Sequence, residues 1–149
     1  METRAITNNV HGEIKKVLYT GNVHIIGGRE GSAQSADGRL DIKLSTPGTP
    51  GTGTNPEQLF AAGWSACFIG AIKVNAPRLG ITVPADTAID AEVDLANDET
   101  GFCLQARLHV SLPGLSYDEA ETIVKAAHET CPYSKATRGN INVQISLAV

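Results

Sequence analysis

The sequence predicts an α+β domain of order βββ-α-ββ-α-β, with mainly antiparallel sheets and one buried central helix. Three observations carry this. Apolar and polar residues alternate over residues 40–44, 89–95, 102–112 and 141–149, the period of a half-buried strand. Residues 59–74 form an almost unbroken apolar run, too long for an ordinary strand. Ser116 and Glu119 form a capping box ahead of Ala120, Ile123, Val124, Ala127 and Cys131, which share one helical face.

The elements follow in order. Residues 1–14 read as a polar N-terminal extension, and residues 15–149 as a single domain. Residues 14–26, rich in Val, Ile and Tyr, read as the first strand. Gly27-Gly28-Arg29-Glu30-Gly31 is a turn. Residues 32–36 make a short return strand, closed by Asp37-Gly38. Leu40, Ile42 and Leu44 mark the third strand. The segment STPGTPGTGT (residues 45–54) reads as a mobile loop. Asn55-Pro56-Glu57 starts a helix, with Asn as N-cap, Pro at the first position and Glu complementing the dipole. This helix is expected to end near Val74, because Pro77 disfavours continuation. Only Ser65 and Lys73 interrupt its apolar surface between Leu59 and Val74, so burial on all sides is expected. A domain this small can scarcely surround such a helix alone, which points to a homodimer. A hairpin follows, turning at residues 97–101, then the capped helix and a last strand.

Composition narrows the function. The chain has 149 residues, 42% hydrophobic, with a net charge of -4. That balance leaves no basic footprint for nucleic acid. No apolar run reaches the ~18 residues of a membrane span, so no membrane partner is expected. The first ten residues lack a signal-like apolar stretch, and a cytoplasmic location is expected. Three cysteines is an odd number, and in a reducing compartment any disulfide would be transient.

Cys67 lies inside the apolar helix and Cys131 at the end of the amphipathic one, just before Pro132. Both fall on apolar faces, so packed helices would bring the sulfurs together. Thiol redox chemistry, metal binding and plain core packing all remain open. Position alone favours Cys67 as a small core hydrophobe. To react it needs something to stabilise its thiolate, most simply an arginine. Cys131, at a helix C-terminus, is the poorer nucleophile and suits a resolving thiol. Cys103 falls on the polar face of its strand and reads as a bystander. His128 and Cys131, three residues apart, present two ligand types, but no C-x-x-C accompanies them, so no metal site is expected.

Arg29 and Glu57 are the preferred charged candidates, with Arg78 and Arg138 as competitors. Glu57 lies ten positions before Cys67, or ~15 Å of helical rise. It cannot act beside the Cys67 of its own helix. It can reach Cys67 of a partner helix crossing about a two-fold axis near Ala61, Ala62, Gly63 and Ala66, where small residues permit close approach.

NPEQLFAAGWSACFIGA (residues 55–71) and CPYSKATRGNI (residues 131–141) closely resemble the organic hydroperoxide resistance proteins, the Ohr branch of the Ohr/OsmC family. GGREG, LDIKLSTP and LPGLS add to the resemblance, which runs from residue 15 to residue 149. It implies an Ohr/OsmC-like fold and an intertwined homodimer with active sites at the subunit interface. It implies that Cys67 is the peroxidatic cysteine, Cys131 the resolving one, Arg29 the thiolate-activating arginine and Glu57 its partner. It implies organic and fatty-acid hydroperoxide substrates, with no bound cofactor. The external reductant would be the dihydrolipoyl group of a lipoylated protein.

Phe60, Trp64 and Phe68 are candidates for an apolar, substrate-lining mouth, with core packing as their alternative role. Two rival functions stay in view. One is a dithiol–disulfide reductase acting on proteins, which the missing C-x-x-C disfavours. The other is a dimeric carrier of small apolar ligands in which the cysteines only pack.

Overall fold

The computed structural model describes residues 4–5 and 12–149. Most of the expected N-terminal extension lies outside them. Among the described residues, six strands, β1 (Val23–Ile26), β2 (Ser32–Ser35), β3 (Asp41–Lys43), β4 (Ala88–Asp98), β5 (Gly101–Ser111) and β6 (Asn142–Ala148), form two three-stranded sheets. Helix α1 (Pro56–Leu79) links the sheets, and α2 (Tyr117–Thr130) and α3 (Pro132–Thr137) link β5 to β6.

The first sheet is antiparallel throughout, with Ala33 opposite both Ile25 and Ile42. In the second, β4 and β5 form the expected hairpin, with Val93 opposite Ala106. Strand β6 runs parallel to β5, with Leu108 opposite Ile145. The α2–α3 crossover supplies the return that a parallel pair requires. Leu108 and Val110 of β5, with Leu112 just beyond it, form this sheet's deepest contribution to the core.

Helix α1 begins as its sequence dictates. Asn55 is extended and its side chain accepts from the Gln58 N–H, and Pro56 occupies the first position. The helix runs past the expected end at Val74. Pro77 sits in its last turn, where the missing N–H costs a single intrahelical bond. Gly80, left-handed at φ 66°, then closes the helix. The N–H groups of Ile81 and Gly80 donate to the Ala76 and Pro77 carbonyls in a Schellman motif.

Only one face of α1 is buried within the chain, carrying Trp64, Phe68, Ala71, Ile72, Asn75 and Ala76. Ala62, Ala66, Gly70 and Val74 are exposed. The expected burial on all sides is therefore not met by one protomer. The expectation that nothing here is long enough to cross a membrane also needs correction. The 24 residues of α1 suffice by length and composition. Its inward face is nonetheless the centre of the core, with Trp64, Phe68 and Ile72 fully buried among β5 and α2.

Three further expectations change. The first strand begins at Val23 rather than near residue 14, and Val17, Leu18 and Tyr19 lie exposed ahead of it. The loop expected to be mobile is pinned at both ends. Ser45 N–H donates to the Thr54 carbonyl, Thr54 N–H to the Lys43 carbonyl, and Gly53 N–H to Ser45 Oγ. Helix α3 is new: Pro132 follows the end of α2 and also opens the next helix.

α3 docks on α1 through a buried polar contact. Trp64 Nε1 donates to Ser134 Oγ at 3.2 Å, and both residues are fully buried. Ser134→Ala leaves the indole N–H unpaired and is expected to cost about 1–3 kcal/mol, read from urea denaturation. An unchanged midpoint would contradict this role.

Candidate active site

The packing of α1 against the α2–α3 elbow brings Cys67 and Cys131 together. Both are free thiols, and the Cys131 S–H donates to Cys67 Sγ at 3.5 Å. A disulfide bond is ~2.05 Å, so the sulfurs need approach by only about 1.5 Å. The two are unequal in access: Cys131 is fully buried and Cys67 half-buried. An outside reagent meets Cys67 first.

Burial is the main influence on the Cys67 thiol and pushes its pKa up. The Tyr133 backbone N–H pulls it down, and the neighbouring Cys131 pushes it up again. Among the described residues of the same chain, no cation contributes. Cys131 joins two helices, as C-cap of α2 and N-cap of α3. The unfavourable C-terminal field of α2 is therefore opposed by the start of α3, which weakens the contrast expected from sequence. Tyr133, whose N–H faces the peroxidatic candidate, was missed from sequence. Reading Pro132 as a first-turn proline would have exposed it.

Arg29 lies on a 3-10 turn, Gly28–Glu30, at the end of β1. Gly27 is left-handed at φ 71°, and a Cβ on Gly31 would sit 1.7 Å from the Ile26 carbonyl oxygen. The turn thus needs its glycines to present Arg29. The guanidinium grips Glu57 with two hydrogen bonds, Nη1 to Oε2 at 3.0 Å and Nη2 to Oε1 at 2.6 Å. The Arg29 contact holds the Glu57 carboxyl below the ordinary glutamate range, against the opposing effect of burial. Glu57 raises Arg29 in return.

This pair forms within one chain. Glu57 therefore reaches its arginine without a second subunit. Arg29 is thereby tied to the helix start, ten positions and ~15 Å of helical rise before Cys67. Gly63, expected in a helix crossing, is covered by Tyr133 of its own chain, whose hydroxyl would lie 2.8 Å from an added Cβ.

Arg29 and Glu57 open onto a cleft of about 950 Å³. Ala61, Val93, Leu95 and Phe102 supply apolar walls, and neither Cys67 nor Cys131 lines it. Arg107, also lining the cleft, is already matched by Asp94, at 2.7 and 3.0 Å, and by Glu92 at 2.7 Å. It holds the Asp94 carboxyl down at about 2.

The remaining candidates separate by burial and partner. Trp64 and Phe68 are fully buried core residues. Phe60 is partly buried, edge-on to Trp64 at 5.7 Å and to Tyr133 at 6.0 Å. Arg78 donates to Asn75 Oδ1. Arg138 donates to the His128 carbonyl and faces Glu129. Cys103 sits opposite Ala96 near Asp98, at the turn end of the hairpin. The His128 ring lies 6.4 Å from that of Phe68, and its pKa is lowered by burial, then by Arg138. Among the described residues, no three His, Cys, Asp or Glu side chains converge as metal ligands would.

Residues 48–146 match the model of the OsmC-like protein family. The organic hydroperoxide resistance protein of Xanthomonas axonopodis pv. citri is 49% identical over 138 residues, spanning 90% of this chain and 97% of its own. OhrB of Bacillus subtilis, also an organic hydroperoxide resistance protein, has a crystal structure that superposes with a TM-score of 0.83. It shares 44% identity and covers 89% of this chain and 100% of its own. A structure from Legionella pneumophila, described as an organic hydroperoxide resistance protein OsmC, gives 0.84 at 45% identity, covering 90% and 100%. With nearly full coverage on both sides, this chain belongs to the OsmC-like family, in its organic hydroperoxide resistance branch.

Proposed function

We propose that the protein is a cysteine-based peroxidase that reduces organic and fatty-acid hydroperoxides to alcohols. The observation that carries this is the 3.5 Å pair of free thiols, with Cys67 accessible and Cys131 buried behind it. The names of its relatives, which describe resistance to organic hydroperoxides, support the substrate class.

The Cys67 thiolate attacks the distal peroxide oxygen. The O–O bond breaks, the alkoxide leaves and takes up a proton, and Cys67 becomes a sulfenic acid. Cys131 then attacks that sulfur. A disulfide forms and water leaves, before further oxidation can destroy the site. An external dithiol, for which the family resemblance implies a dihydrolipoyl group on a lipoylated protein, returns both cysteines to thiols by exchange. Such recycling fits a reducing, cytoplasmic setting.

Within the described part of one chain, burial holds Cys67 as a thiol and no cation opposes it. The Arg29–Glu57 clamp stands at the start of the helix, ten positions before Cys67. We therefore place the working site in a homodimer, where the clamp of one subunit meets Cys67 of the other. The unburied face of α1, the wholly exposed β1 and the apolar Val17, Leu18 and Tyr19 provide surface for such a partner. Once there, Arg29 would stabilise the thiolate and the charge that develops as the O–O bond breaks. Glu57 would hold the guanidinium in a fixed plane. When Cys67 is oxidised Arg29 loses its anion, and the Gly-flanked turn is expected to release it, opening the site to the bulkier reductant.

Peroxide consumption tests this reading. With dihydrolipoamide as reductant, the wild-type protein is expected to consume cumene or lipid hydroperoxide faster than hydrogen peroxide. Cys67→Ser is expected to abolish turnover. Cys131→Ser is expected to allow one oxidation and then stop. An apolar-ligand carrier would show no turnover even in wild type, and a general protein disulfide reductase would act without peroxide.

The clamp also predicts a pH dependence. Glu57 is depressed in the folded state, so its contribution is present above the ordinary glutamate pKa and is lost as pH falls through the folded value. The gap in thermal stability between wild type and Glu57→Gln should stay level from pH 8 to about 5 and narrow only below about pH 4. A gap that narrows on going from pH 5 to pH 8 would contradict the sign.

A further inference from the structure

Tyr133 stands two residues after Cys131, and its ring lies on Gly63, one helical turn before Cys67. The contact is close. A Cβ on Gly63 would meet the Tyr133 hydroxyl at 2.8 Å, Cζ at 3.3 Å and Cε1 at 3.6 Å. Any residue but glycine must shift the hydroxyl end of the ring. Phe60, one turn before Trp64, meets the ring edge-on at 6.0 Å and closes the seat.

The link from this ring to the second thiol is short and stiff. Only Pro132 separates Cys131 from Tyr133, and its φ is fixed. α3 starts at that proline, and the Thr137 hydroxyl ties back to the Tyr133 carbonyl at 2.8 Å. α3 is thus fastened to α1 at two points. Ser134 is bonded to the buried Trp64, and Tyr133 is seated on Gly63.

We propose that Tyr133 is a positioning residue whose ring, seated on Gly63, clamps α3 to α1 and so sets the distance between Cys131 and Cys67. The inference rests on reading these cysteines as a redox pair. It goes beyond that reading by assigning the approach of the second thiol to a ring–glycine contact rather than to the sulfurs themselves. The backbone N–H of the same residue acts on Cys67 as well.

Disulfide formation in the reduced, full-length protein tests it, with two oxidants. Diamide takes two electrons and two protons from Cys67 and Cys131 and needs no peroxidase chemistry. Cumene hydroperoxide, one equivalent, runs through the sulfenic acid. With both, Gly63→Ala is expected to slow disulfide formation by about tenfold or more. With excess peroxide it should also raise the yield of Cys67 sulfinic acid, because the resolving thiol arrives late. Tyr133→Phe keeps the ring and should stay within about twofold of wild type. Tyr133→Ala empties the seat without adding an atom to α1, and should be slow as well. Adding Gly63→Ala to Tyr133→Ala should then slow it no further, since the two act through one contact.

Wild-type rates in Gly63→Ala and Tyr133→Ala, or additive losses in the double variant, would overturn the inference. A wild-type protein that forms the disulfide with diamide but never with peroxide would instead sink the peroxidase reading and leave the clamp standing.

Discussion

The contact between α1 and the α2–α3 elbow builds the core and brings Cys67 and Cys131 together. Trp64, Phe68 and Ile72 bury the inner face of α1 against β5 and α2. Cys67 lies at the margin of that face, and the elbow carries Cys131 into place behind it. The sulfur separation of 3.5 Å is therefore a packing distance, held by the contact of α1 with the elbow. Close-packed cores resist small displacements, so the pair is held near bonding distance without being bonded. Burial also makes the arrangement asymmetric. One thiol is offered to solvent and the other is kept in reserve.

That burial has an electrostatic cost. A half-buried thiol with no cation nearby among the described residues resists ionisation, and a thiolate is the form that acts as a nucleophile. Meanwhile a bidentate arginine–carboxylate pair stands at the start of the helix, ten positions before Cys67, facing a cleft with apolar walls. Each half lacks what the other has. In the proposed homodimer, a two-fold assembly that covers the exposed apolar surfaces would resolve both deficits at once.

Much of this was legible in the sequence for physical reasons. Alternation marked β4 and β5 because each has one buried face, and Asn55-Pro56-Glu57 and Ser116–Glu119 marked helix starts because orphan N–H groups need partners. Other features depend on tertiary context. Residues 14–22 have strand-like composition but form no strand within this chain. Pro77 stays helical because it falls in a last turn that Gly80 closes. Helix α3 hid behind Pro132, which serves equally as a stop and a start. Helical rise showed that Glu57 and Cys67 of one helix cannot meet. It could not show that Arg29 would fold back onto the same chain's Glu57, because that depends on the path of the GGREG turn. The proposed role of Cys67 rests on the motif around it, since position alone favours a core residue.

The central claim is that the clamp and the thiol of one working site come from different subunits. Heterodimers of a Cys67→Ser chain and an Arg29→Ala chain test it most directly. Each parent homodimer is expected to be inactive or nearly so. The mixed dimer contains one site with an intact Cys67 facing an intact Arg29–Glu57 pair, and should recover about half of the wild-type peroxidase activity. Mixed dimers no more active than their parents would contradict the account.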